Sequence, residues 1–183
     1  MVLLGIGLVF FFQAMLALIQ YQSSAEALQQ IVFWSMGSLT RANWAANSVL
    51  AAVLIIALPI LWALGWRLTA LRLGDARATA MGINTSRLRV VVLIVVSLVA
   101  ATTVAFAGII GFIGLVGPHI ARMLVGEDQR YFLPASMAAG AAGMCAAHAV
   151  GLMIKPGLAI PIGIVTSLLG VPFFIAIVMT RRR

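Results

Sequence analysis

An all-α, polytopic transmembrane helical bundle is the fold class that three features of this sequence predict. Hydrophobic side chains make up 63% of the 183 residues and charged ones only 9%, and the mean hydropathy is +1.15, a balance that a water-soluble domain does not have. Apolar runs of membrane length recur at 2–20, 47–66, 90–125, 132–154 and 158–179, each long enough to cross roughly 30 Å of hydrocarbon as a helix. Basic residues collect in the short segments between those runs, as the positive-inside tendency requires. The expected architecture is about six spans in one transmembrane domain over 1–183, with a short extracytoplasmic helix and a polar cytoplasmic segment.

The net charge of +8 therefore speaks for lipid headgroups and loop orientation, and not for nucleic acid. A single cysteine, Cys145, excludes an internal disulfide and a CxxC metal or redox site. The first run, "MVLLGIGLVFFFQAMLALIQ", has no basic leader and no small-residue cleavage pattern, so it reads as a span and not as a removable signal peptide. Gln13 is its one strongly polar interior side chain, suited to a bond across helices or to a path.

Residues 23–44 are too polar to span, but Leu28, Ile31, Val32, Phe33, Met36 and Leu39 share a rough helical face. An interfacial helix with Trp34 and Trp44 among headgroups accounts for that pattern. The run at 47–66 contains Pro59, and Pro161 and Pro172 belong to the last run. Kinks are expected at all three, with the freed carbonyls met by neighbouring helices or water.

Between the second and third runs lies "LRLGDARATAMGINTSRLR", 71–89, which is mostly helix-forming but is punctuated by Gly74 and Gly82. Its mixture of Leu71, Leu73, Ala76, Ala80, Met81 and Ile83 with Arg72, Asp75, Arg77, Thr79 and Asn84 suits a piece lying on the membrane surface and offering a compact face to a partner. A solvated connector near anionic headgroups is the plainer reading. Asn84-Thr85-Ser86 is placed to cap the helix that follows.

The run at 90–125 is too long for one span, since 36 residues make a helix of roughly 54 Å at 1.5 Å per residue. Its glycines 108, 111, 114 and 117 recur every three residues, so in a helix they spread over half the surface and form no single packing stripe. A turn is expected within Gly108–Gly114, with a returning helix over Phe112–Val125 in which later glycines permit tight packing. The spans become 2–20, 47–66, 90–110, 113–125, 132–154 and 158–179. The loops 67–89 and 122–130 and the tail Arg181–Arg183 then share one side and hold ten of the twelve Lys and Arg, leaving Arg41 and Lys155 on the other. Both termini are expected in the cytoplasm.

Chemistry finds little support. The four acids, Glu26, Asp75, Glu127 and Asp128, all lie in predicted loops, so no intramembrane catalytic cluster forms. His119 and Arg122 fit the basic end of a helix. His148 lies within a span and is expected to be a neutral imidazole hydrogen-bonded to a neighbouring helix. No catalytic, cofactor or metal residues are assigned.

Five blocks, in order, resemble the permease subunits of bacterial ABC importers for iron-siderophores, haem and cobalamin: "EALQQIVFWSMGSL" (26–39), "LGDARATAMGI" (73–83), "AGIIGFIGLVGPHIARMLVG" (107–126), "RYFLPASMAAGA" (130–141) and "IPIGIVTSLLGVPFF" (160–174). The resemblance covers almost the whole chain and corresponds to the C-terminal six of ten spans, so the chain looks like an N-terminally truncated permease, functional or otherwise. It implies a non-enzymatic transport subunit in the bacterial inner membrane. The implied partners are a second permease copy, identical or similar, two ATP-binding subunits, and a periplasmic or lipid-anchored substrate-binding protein. It also implies that the segment at 71–89 docks into a cleft of the ATPase through Leu73, Gly74, Asp75, Ala78, Met81, Gly82 and Ile83, with Asp75 and Arg77 pairing charges at the rim. Phe33, Trp34, Met36, Gly37 and Ser38 become candidates for lining the translocation path. Many members carry Asp, Arg and Glu where this chain has His148, Leu152 and Ala159, so Lys155 is left to make a different outer contact. A ferric siderophore is the expected cargo, with haem, cobalamin and bare metal ions open. The rival class is a secondary transporter or channel, which would use broken helices but would not need the segment at 71–89.

Overall fold

The computed structural model describes residues 2–154 and 160–180, and the described secondary structure is entirely helical. The helices are α1 (Val2–Gln22), α2 (Ala25–Ser35), α3 (Trp44–Ala63), α4 (Gly65–Leu71), α5 (Asp75–Ala80), α6 (Thr85–Ala107), α7 (Ile113–Val125), α8 (Gln129–Ile154) and α9 (Ile162–Thr180). Among the described residues, α1, α3, α6 and α8 are long and apolar enough to cross a membrane; α7 and the stretch Ile162–Ile175 are shorter apolar helices. The chain divides into two compact units, one holding α1 and α2 and the other α3 to α9.

In the first unit α1 has no charged residue. The start of α2 is set by Ser24, whose Oγ accepts from the Ala27 amide at 3.3 Å. Glu26 follows in the first turn. Its own backbone amide and the Ser24 hydroxyl hold its carboxyl below the usual carboxylate range, and a negative charge there suits the positive end of the helix dipole.

In the second unit the local signals act as expected where they are short-range. Asn43 caps α3 by accepting from the Ala46 amide at 2.7 Å, and Asn84 caps α6 by accepting from the Arg87 amide at 2.9 Å. The long apolar run does break. Gly108 ends α6 at φ +78, and α7 begins at Ile113, one residue after Phe112. Phe112 itself has φ +65, unusual for an aromatic residue. Its side chain lies against Gly170 of α9, where an added Cβ would collide with the Phe112 Cβ. Prolines lie inside α3 (Pro59), α7 (Pro118), α8 (Pro134) and α9 (Pro172), each of which runs on as a continuous helix. Pro161 lies ahead of α9 and kinks nothing, because a fixed φ is compatible with a helix start.

The return is held by small residues. A Cβ on Gly117 would stand 3.1 Å from the Ser136 carbonyl oxygen and 3.2 Å from the Gly140 backbone. Ala121 is fully buried one turn further along α7. Such close backbone approach is how membrane helices gain dispersion contacts when lipid offers no hydrophobic drive between them. Gly117→Leu is therefore expected to cost about 2–3 kcal/mol, read as a lower unfolding temperature of the purified chain. Gly114→Ala is the control, because nothing lies within 4 Å of its Cβ position.

Reversal at 108–112 brings the two basic loops together. The Thr69 hydroxyl donates to the Gly65 carbonyl at 3.1 Å and accepts from the Gln129 amide at 3.2 Å, joining α4 to the start of α8. Arg72 pairs with Glu127 at 2.6 Å, and Arg122 approaches the same carboxylate at 3.4 Å.

Candidate functional site

At this basic end, α4 and α5 fold as one small platform with its own core. Ala70, Ala78, Ile83 and Leu88 are buried together, with Leu64, Leu68, Leu71 and Val92 packed around them. Gly74 (φ +100) turns the chain between the two helices. Gly82 (φ +79) closes α5 in a Schellman motif: the Gly82 amide donates to the Thr79 carbonyl at 2.9 Å and the Ile83 amide to the Ala78 carbonyl at 3.1 Å. The Ile83 side chain then packs in the same cluster as Ala78, the apolar contact that usually accompanies this motif.

This geometry divides the seven residues that the resemblance to permeases nominates for docking. Leu73 (56% exposed) and Met81 (47%) present apolar side chains outward. Ala78 (0%) and Ile83 (6%) do not; they are the platform's interior and cannot fill a partner's cleft. Gly74 and Gly82 stand at the surface with open space at their Cβ positions, and here their left-handed backbone requires glycine without any partner's close approach. Asp75 is already engaged, accepting from Arg89 at 2.6 Å. Both members of that pair are more than half exposed, so it orients the platform on α6 and adds little stability. Arg77 is exposed on α5.

The nominated path residues fall in both units. Phe33 and Trp34 lie near the end of α2, Phe33 being 53% exposed. Met36, Gly37 and Ser38 belong to the second unit, where they act through the backbone. The Met36 and Gly37 carbonyls accept from the Gly163 and Ile162 amides at 3.0 and 3.1 Å, satisfying donors that the first turn of α9 leaves free. The Ser38 amide donates to the Ala107 carbonyl at 2.8 Å, at the end of α6. Gly37 is buried at φ +72, and a Cβ there would meet the Ile109 carbonyl oxygen at 2.8 Å. It is thus a packing glycine and lines no open surface. Sequence reasoning missed its counterpart Gly163, whose Cβ position is occupied by the Met36 carbonyl oxygen and lies 3.2 Å from that of Ile109.

Below this junction Ala147, Ile162 and Val165 form a second buried cluster with Leu39, Ile110 and Met144. His148 lines a small void there beside Ser38 and Thr40. The hydrogen bond expected for its imidazole is not formed among the described residues; nearby Ser38 and Thr40 bond to each other at 2.8 Å. His119 stacks edge-on to Phe173, their ring centroids 5.9 Å apart. Lys155 and Ala159 lie outside the described residues. No group of acids, histidines and cysteine suited to a metal ion occurs among the described residues.

The order of elements, the broken α6–α7 hairpin and the paired short helices at one end have counterparts elsewhere. The sequence pattern of the FecCD transport family is matched across residues 1–180. The chain belongs to that family. Among its relatives, the molybdate import system permease protein MolB of Haemophilus influenzae is 36% identical over 100% of this chain and 54% of its own length. The hemin transport system permease protein HmuU of Yersinia pestis is 35% identical over 100% of this chain and 54% of its own. A solved structure assigned to the metal-chelate type of ABC transporter, in an inward-facing conformation, superimposes with a TM-score of 0.92 at 37% identity, covering 97% of this chain and 58% of that one. The FecCD chain described here therefore spans about half the length of the relatives it matches.

Proposed function

We propose that this FecCD-family chain acts as the membrane permease subunit of an ATP-driven ABC importer for metal chelates, with a ferric siderophore as cargo. The observation that carries the reading is the α4–α5 platform. It has an interior of its own, it is tied to α6 and to the α7–α8 connection by Asp75–Arg89 and Arg72–Glu127, and it keeps Leu73 and Met81 exposed. A loop that merely linked two spans would need neither a core nor those ties. A partner pressing on Leu73 and Met81 would move α6 and the α7–α8 connection with the platform, which is the mechanical requirement for switching a path between two access states. Two ATP-hydrolysing subunits are the partners assigned to this face. A second permease copy completes the path, and an extracytoplasmic binding protein delivers cargo. The permease named for hemin among the relatives and the solved structure of metal-chelate type support the chelate class, whereas the molybdate permease is named for an oxyanion.

The chain is placed in a bacterial cytoplasmic membrane with the platform and both termini on the inner side. In a Cys145→Ala background, a cysteine at exposed Thr79 is expected to react with a membrane-impermeant maleimide only after the cytoplasmic face is opened, and one at exposed Ser24 in intact cells. The opposite pattern overturns the orientation and, with it, the assignment of ATPases to α4–α5.

A further inference from the structure

A groove of about 390 Å³ lies between the α3–α4 junction, the α5–α6 turn at 81–84 and the start of α6. Apolar Leu64, Leu88 and Val91 line it together with Trp66, Arg67 and Arg87. The two arginines form no ion pair among the described residues: Asp75 is taken by Arg89, and Glu127 by Arg72 and Arg122. Arg67 lies over the Trp66 ring at 5.9 Å, an aromatic residue of the type that settles at headgroup depth. Further along the helices that flank it, Trp62 of α3 and Val90, Leu93 and Ile94 of α6 are strongly exposed apolar side chains.

A purely polar ligand would leave the apolar wall wet, and a purely apolar one would mask two cations without neutralising them. An amphipathic anion satisfies both walls. We propose that this groove is a binding site for one anionic glycerophospholipid, its phosphodiester held by Arg67 and Arg87 and an acyl chain running past Val91 along α6. The charge complementarity and the exposed apolar side chains of the flanking α3 and α6 select lipid over a soluble protein segment, which would have no use for the second. Such a lipid braces the root of the α4–α5 platform against the bilayer. Met81 and Gly82 line the same groove, so the lipid would lie beside the face assigned to the ATPase, but a lipid-binding readout on the isolated chain fails or succeeds separately from that assignment.

Native mass spectrometry of the purified chain, titrated with phosphatidylglycerol or phosphatidylcholine, tests it. One phosphatidylglycerol is expected to bind about tenfold more tightly than phosphatidylcholine. Arg67→Gln/Arg87→Gln is expected to abolish that preference, Arg67→Lys/Arg87→Lys to keep most of it, and Arg77→Gln, outside the groove, to leave it unchanged. Photoactivatable phosphatidylglycerol should label the unaltered chain mainly within 62–67 and 84–94, a measurement that stands even if the glutamine variant does not fold. Equal binding of the two lipids, an undiminished preference in the glutamine variant, labelling spread evenly over the apolar helices, or displacement by millimolar inorganic phosphate each overturns the site.

Discussion

Replacing Gly163 by valine is expected to unfold the end of the second unit opposite the basic loops. The residue sits at the first turn of α9 with its amide donating to the Met36 carbonyl at 3.0 Å, and its Cβ position is already filled by that carbonyl oxygen. Backbone cannot rotate aside as a side chain can. The substitution must separate the 36–38 segment from α9 and lose the Ile162 and Gly163 hydrogen bonds, exposing donors in a region where water is scarce. Overpacking and unsatisfied amides together are expected to cost about 4 kcal/mol or more. A valine chain that melts within a few degrees of the parent in the same detergent contradicts the junction as described. Gly5→Val serves as the reference substitution, since nothing lies within 4 Å of that Cβ position.

Leu73→Asp/Met81→Asp is expected to have the largest effect on activity with little effect on folding. Both side chains are exposed, and neither belongs to the platform core of Ala70, Ala78, Ile83 and Leu88. Two charges placed on an apolar docking face must be desolvated when a partner closes over them, at several kcal/mol in total. ATP-driven uptake by membranes containing the complete transporter should fall by about two orders of magnitude or more, while the unfolding temperature of the variant stays at that of the parent. The matched control is Ala78→Asp, which buries a charge in the platform and is expected to lower stability and uptake together. Unchanged uptake in the exposed double variant removes α4–α5 from the coupling role.

These two expectations differ in how much of their basis could be read from the chain. The α6–α7 break was legible, because no membrane is thick enough for 36 residues of straight helix and the Gly108–Gly117 spacing offered a place to turn. So was the Asn84 cap, a signal that acts over three residues. The meeting of 67–89 with 122–130 followed from counting arginines on each side of the turn. The inward burial of Ala78 and Ile83 was not legible, since the apolar pattern of a six-residue helix such as α5 does not reveal which side faces α4 and which faces out. A Schellman motif could have been suspected from Gly82 followed by Ile83, with its conventional apolar contact back to Ala78. The junction of Met36–Ser38 with Ile162 and Gly163 was out of reach, because its hydrogen bonds join backbone groups more than a hundred residues apart and no side chain advertises them. Phe112 at positive φ was equally hidden: its conformation depends on the space above Gly170, far away in sequence. Small residues at 117, 121, 136, 140 and 143, by contrast, were visible as a pattern and could have been paired across α7 and α8.

Cysteine cross-linking from the α4–α5 surface is the most direct test of the central claim that this platform is where an ATP-hydrolysing partner takes hold. In a Cys145→Ala chain carrying Met81→Cys, and assembled with its ATPase subunits, one cross-link to each ATPase subunit is expected, with a yield that changes when nucleotide is bound. No cross-link at Met81→Cys or at Leu73→Cys in an assembly that still imports its cargo would contradict it.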